Sequence, residues 1–180
     1  MKYYSLNDIN EMKKNGYEKK TIEKARVIQE LAHFHIQNIT DAFSGVTLGS
    51  GVGLHEARGL DDYETESVLK ELSKKDERFD WSKISTKDLN YFYSALSFVD
   101  AEGMRFLLPA ILISEIKGQY NYDVLFHLTH VSDHKTEQIS LFSDKQRRAI
   151  RLYLRMLLKD KDYAYERKKI EVALERYFFE

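Results

Sequence analysis

A mainly α-helical domain is the fold class this chain predicts, on three observations. It holds one proline in 180 residues. Its apolar residues recur three and four apart over long stretches. Capping-box spacings, a serine followed three residues later by an acid or glutamine, stand before several of those stretches. Seven or eight helices around one core follow, in a single compact domain over residues 1–180, with a glycine-rich loop and at most one short strand pair. Hydrophobic residues, at 43%, suffice for that core, and charged residues, at 32%, are interspersed, which excludes a long disordered chain.

Taken in order, Ser5 with Asp8 opens a first helix that Gly16 can end. The second is expected from Thr21 to Gly45, burying Ala25, Ile28, Ala32, His35, Ile39 and Ala42; His35 reads as a core histidine. Five of the eight glycines then fall from Gly45 to Gly59. Alternation of Val46, Leu48, Val52 and Leu54 predicts an ordered loop with the strand pair here. A helix over 62–73 and a polar turn carrying Trp81 follow. Ser85 with Asp88 opens a helix through Leu96. Asp100 is placed to cap the next, and Pro109 predicts a kink or break after Leu108, then a helix to Gly118. Further helices are expected over 122–132, from Ser143 with Gln146 to Lys159, and over 163–178. The expected core includes Ile28, Ile39, Phe43, Leu96, Phe98, Phe106, Ile111, Leu112, Leu128 and Leu154.

The absence of cysteine excludes disulfides and thiolate chemistry. No run approaches the ~20 apolar residues of a membrane helix, and the N-terminus does not read as a signal peptide, so a cytoplasmic protein is expected. Net charge is −1, but residues 54–102 hold twelve acids against seven bases and residues 143–169 ten bases against four acids. Such segregation suits oriented docking to a partner or to another copy of the chain more than general nucleic-acid binding. It is equally met if the two regions face each other in the fold. Oligomeric state is left open, and no cofactor is implied.

The most apolar stretch, Leu96 to Ala110, carries Asp100, Glu102 and Arg105 inside it. With Gly51-Val-Gly-Leu54, Leu60-Asp-Asp-Tyr63, Asp80-Trp81 and Phe142 to Ala149, it resembles a bacterial family of small uncharacterised proteins, a domain of unknown function with an LSFxDAEGxRFxLPA-type motif. The resemblance covers roughly residues 36–160. It implies a compact bacterial cytoplasmic domain and brings no activity, cofactor or catalytic residue.

Four constellations could carry chemistry. Asp100, Glu102 and Arg105 with Glu56, Asp61 and Asp62 could line a carboxylate pocket. The architectural alternative is a cap at Asp100 and a buried Arg105 bridging Asp100 or Glu102 to the 60–63 segment. Gly49-Ser-Gly-Val-Gly53 could cradle an anion but lacks dinucleotide or phosphate-loop spacing, which favours a tight packed loop. His127, His130 and His134 would share one helix face and could bind zinc; a solvated polar face is the plainer reading. Arg148, Arg151, Arg155 and Lys159 line one helix side and form a candidate partner-binding stripe. The function expected is that of a non-enzymatic interaction protein, an immunity-type inhibitor of a toxin domain. The alternative is a small carboxylate-dependent hydrolase with its pocket between the 49–63 loop and the 100–105 segment.

Overall fold

The computed structural model describes residues 3–179, and among them it holds ten α-helices, three 3₁₀ turns and no strand. The helices are α1 (Leu6–Lys14), α2 (Lys19–Ala42), α3 (Leu54–Asp61), α4 (Glu66–Ser73), α5 (Thr86–Tyr91), α6 (Ala101–Ile116), α7 (Val124–Thr129), α8 (Asp133–Gln138), α9 (Asp144–Leu157) and α10 (Arg167–Arg176). The 3₁₀ turns are Trp81–Lys83, Ala95–Ser97 and Lys161–Tyr163.

Helix α6 is the centre, with eleven of its sixteen residues buried. It packs against α2, α5, α7, α8 and the Trp81 turn. A helix apolar all round can be stable only in such a position. That position also explains why Pro109 does not break it. The proline forfeits one backbone hydrogen bond, at ~3 kcal/mol, yet Leu107, Leu108, Ala110, Ile111 and Leu112 around it are all buried. Of the kink or break predicted at Leu108, the break does not occur: α6 runs unbroken from Ala101 to Ile116 with Pro109 inside it.

Helix α2 lies across α1, α6 and α9. It buries Ala25, Ala32, His35, Ile39 and Ala42, five of the six residues of the predicted stripe. Of the predicted core, Ile28 and Phe98 are only partly buried and the other eight are buried. Capping boxes form at Ser5 with Asp8 and at Ser143 with Gln146 as the spacing predicts. Trp81 is buried and donates its indole N–H to the Phe43 carbonyl at 2.8 Å, tying its turn to the end of α2. No helix among the described residues is long and apolar enough to cross a membrane.

Candidate functional site

The glycine loop lies on the N-terminus of α6, and carboxylates hold it there. Asp100 Oδ1 accepts the Gly103 N–H at 2.8 Å, capping α6, and also the Val52 N–H at 3.1 Å. Glu102 Oε2 accepts the Ser50 N–H at 3.1 Å and its hydroxyl at 2.9 Å. From the other side, Arg78 Nη2 donates to the Gly49 carbonyl at 2.7 Å and the Gly51 carbonyl at 3.1 Å. This close approach is what the glycines permit. A Cβ on Gly103 would stand 2.2 Å from the Val52 carbonyl oxygen, and one on Gly51 would stand 2.5 Å from Glu102 Cβ. The loop's backbone groups thus meet side chains of its own chain. No strand pair forms, because the loop turns back on itself, Gly51 N–H donating to the Leu48 carbonyl at 2.9 Å.

Arg105 does not make the expected bridge. Among the described residues it has no ion pair, and its buried Nε has no hydrogen-bond partner. Asp100 and Glu102 are engaged instead by backbone N–H groups and a hydroxyl, in charge-assisted hydrogen bonds.

Beside the loop lies a pair that sequence reasoning missed. Asp76, buried, accepts the His55 N–H at 2.7 Å and the Glu56 N–H at 3.3 Å, so it caps α3 from twenty residues away. Gly53, the N-cap residue, has no side chain to do so, and a Cβ there would stand 2.3 Å from Asp76 Cγ. The same Asp76 Oδ1 lies 3.1 Å from His55 Nδ1, and the imidazole rests on Phe92 with ring centroids 4.7 Å apart. A neutral imidazole that donates Nδ1–H to Asp76 presents Nε2 as an acceptor, the arrangement of an acid–histidine dyad. Its Asp76 is committed to holding the start of α3. No signal in the sequence joins two residues so far apart.

Helix α3 carries Asp61 and Asp62 to its other end, about 12–13 Å along the axis from Gly53. There Arg58 Nε donates to Asp62 at 2.7 Å and Arg58 Nη1 lies 3.7 Å from Asp61. Ser94 donates its hydroxyl to Asp61 at 2.8 Å. The hydrogen bond and charge of Asp62 raise the Arg58 guanidinium above its usual range. Of the residues in the pocket reading, Asp61 and Asp62 thus share one cluster, and Glu102 belongs to the loop junction with Asp100.

The three histidines do not share a helix face. Ser132 caps a new helix by accepting the Lys135 N–H, so α7 ends at Thr129 and His134 belongs to α8. His127 is half-buried, and burial, then Lys135 and His130, push its pKa down to about 4. His130 stacks on Phe126 at 5.1 Å, and His134 Nε2 lies 3.3 Å from the Ser97 carbonyl. Among the described residues no group of three histidines, acids or cysteines could hold a metal ion. Next to His127, Lys135 is buried with its pKa lowered to about 8 by burial. It donates to Gln138 Oε1, whose amide in turn donates to the Leu96 and Val99 carbonyls at 2.9 and 2.8 Å. His35 is buried with an unpartnered Nδ1, and burial lowers its pKa, as suits a neutral core histidine.

The basic stripe divides. Arg148, Arg155 and Lys159 are exposed, whereas Arg151 is half-buried and donates to the Phe178 and Phe179 carbonyls at 3.2 and 2.7 Å. Arg147, off the predicted stripe, reaches the Tyr177, Ile139 and Phe142 carbonyls. Both arginines fasten the C-terminal segment to α9. The acidic and basic regions also pack on different elements: α3 on α4 and the Ala95 turn, α9 on α2 and α10.

No curated protein and no solved structure matches the chain. A family model does, over residues 33–180, a span that includes the glycine loop, the Leu96 to Ala110 stretch and every α-helix after α2. The chain belongs to that family, the family of unknown function DUF6714.

Proposed function

We propose that this is a non-enzymatic interaction protein of the immunity type, which acts in the cytoplasm by covering a basic surface of a toxin domain. The observation that carries the reading is the aromatic and acidic surface at the end of α3. Tyr63 is 94% exposed and Tyr91 is 73% exposed, with Arg58, Asp61 and Asp62 beside them in the chain or within charge reach. Tyr63 also has φ +56, where a glycine would ordinarily stand. It closes α3 with a Schellman turn, its own N–H donating to the Leu60 carbonyl and that of Glu64 to the Gly59 carbonyl. A large side chain kept in a left-handed position costs about 1–2 kcal/mol, and one that buries nothing recovers none of it in the free protein. Contact with a partner would recover it: tyrosine is a common interface anchor, and an acidic surround speeds capture of a basic partner.

The test is co-expression with the product of a toxin gene adjacent to its own. A stable complex and growth protection are expected. Tyr63→Gly should leave the chain at least as stable as wild type in chemical denaturation while weakening the complex at least tenfold, the scale of a hot-spot residue. A toxin that neither co-purifies with the chain nor is neutralised by it would overturn the proposal. A Tyr63→Gly variant that binds as well as wild type would remove this surface from it.

A further inference from the structure

Helix α2 has a second stripe, which the packing of the monomer leaves outside. Lys20, Lys24, Val27, Leu31 and Phe34 recur at steps of four, three, four and three, and Asp41 falls one heptad past Phe34. This is the 3.5-residue repeat of a coiled-coil seam. It runs about 100° round the helix from the buried stripe. Every one of these residues is exposed, Val27 at 57%, Leu31 at 38% and Phe34 at 50%. An open groove lies along the first half of the stripe, lined by Lys20, Glu23, Lys24, Val27 and Ile28. The stripe is apolar in the middle, basic at its N-terminal end and acidic at its C-terminal end.

We propose that α2 pairs antiparallel with α2 of a second copy of this chain. The charge distribution selects that occupant. With a two-fold axis beside Leu31, Leu31 meets its own copy and Val27 of each protomer meets Phe34 of the other. Lys20 of each then meets Asp41 of the other; this pair and the Val27–Phe34 pair share a midpoint between Glu30 and Leu31, half a residue from Leu31 itself. A parallel pair would set Lys20 on Lys20 and Asp41 on Asp41, with like charges opposed. The antiparallel pair is self-complementary and closes as a two-fold dimer. Among the described residues neither Lys20 nor the Asp41 carboxylate has an ion pair. Gln37 donates to Asp41 Oδ1 at 2.9 Å, and Lys145 donates to the Asp41 backbone carbonyl rather than to its carboxylate. Lys20 to Leu31 lie before the segment that the family model matches, and Phe34 and Asp41 lie within it. The inference stands apart from the proposed function and uses a different face.

Sedimentation of the full chain across a concentration series up to about 1 mM, the range that reaches a weak dimer, tests it. A reversible dimer is expected for wild type. Leu31→Glu should be monomeric with unchanged helical circular dichroism. Lys20→Asp and Asp41→Lys should each weaken the dimer about tenfold, since each dimer holds the pair twice. The double variant should return to near wild-type affinity, because the charges are then exchanged across the same axis. A wild type that stays monomeric throughout, or a dimer indifferent to Leu31→Glu, overturns the proposal. A double variant weaker than either single variant rejects the antiparallel register and, with it, the interface.

Discussion

Gly103→Val should destabilise the protein by at least ~3 kcal/mol, read as a lowered urea midpoint with little change in slope. The cause is the 2.2 Å separation between a Cβ at this position and the Val52 carbonyl oxygen, with Val99 Cβ at 2.9 Å and Asp100 Oδ1 at 3.1 Å also in the way. Backbone stands on one side and the buried Val99 on the other, so the loop must lift. Lifting it breaks the Val52 bond to Asp100 and both Ser50 bonds to Glu102. Gly103→Ala is the sharper control. Glycine to alanine inside a helix ordinarily gains ~1 kcal/mol, so a loss at this position measures the contact itself. A Gly103→Val variant as stable as wild type would mean that the loop does not approach the helix as described.

The second large effect is on acid stability. His127 has a folded pKa of about 4, depressed from 6.5 first by burial and then by Lys135 and His130. Its contribution is fully present above pH 6.5 and is lost as pH falls through 4, because the unfolded chain takes up the proton first. The loss amounts to about 3 kcal/mol between pH 7 and pH 4. Glu115 acts in the opposite sense. Burial, then Asp123, raises its carboxyl from 4.5 to about 6, so its contribution is present below 4.5 and lost as pH rises through 6. The two offset one another in wild type, and the variants separate them. His127→Gln should gain about 3 kcal/mol on wild type as pH is lowered from 7 to 4, whereas Glu115→Gln should lose ground over the same range. Urea midpoints at pH 7 and pH 4 check both. A wild-type to His127→Gln difference that does not change with pH would place His127 in solvent.

What was legible in the sequence was mostly local. Ser5, Ser143 and Asp100 cap the helices their spacing predicts, because a cap is decided within four residues. Gly103 reads in the sequence as needing either close packing or an unusual backbone angle, since glycine otherwise costs ~1 kcal/mol inside a helix; its φ is not positive, and close packing is the reason the fold gives. What it packs on could not be read, because the Val52 carbonyl is brought there by the fold. Long-range capping hid α3 in the same way: its first N–H groups are held by Asp76, so Gly53 and Leu54 read as loop. At Pro109 local preference argues for a kink or a break, and burial on several sides outweighs the break. The histidine face failed at one residue. Ser132 starts α8 and carries His134 off the stripe, leaving His127, His130 and His134 with three different surroundings. Arg105 was paired with the nearest carboxylates by sequence, yet those carboxylates found backbone N–H groups from a loop about fifty residues back.

That substitution of partners is tested most directly by chemical denaturation of Asp100→Ala beside Arg105→Met. If the loop is held to α6 by carboxylate–backbone bonds, Asp100→Ala loses both a helix cap and the Val52 tie and should cost about 2–3 kcal/mol. Arg105→Met keeps the side-chain stem and removes a buried Nε with no partner, so it should stay within about 1 kcal/mol of wild type. The reverse order, with Arg105→Met costing the 3–5 kcal/mol of a broken buried ion pair and Asp100→Ala costing little, would contradict this structure of the junction.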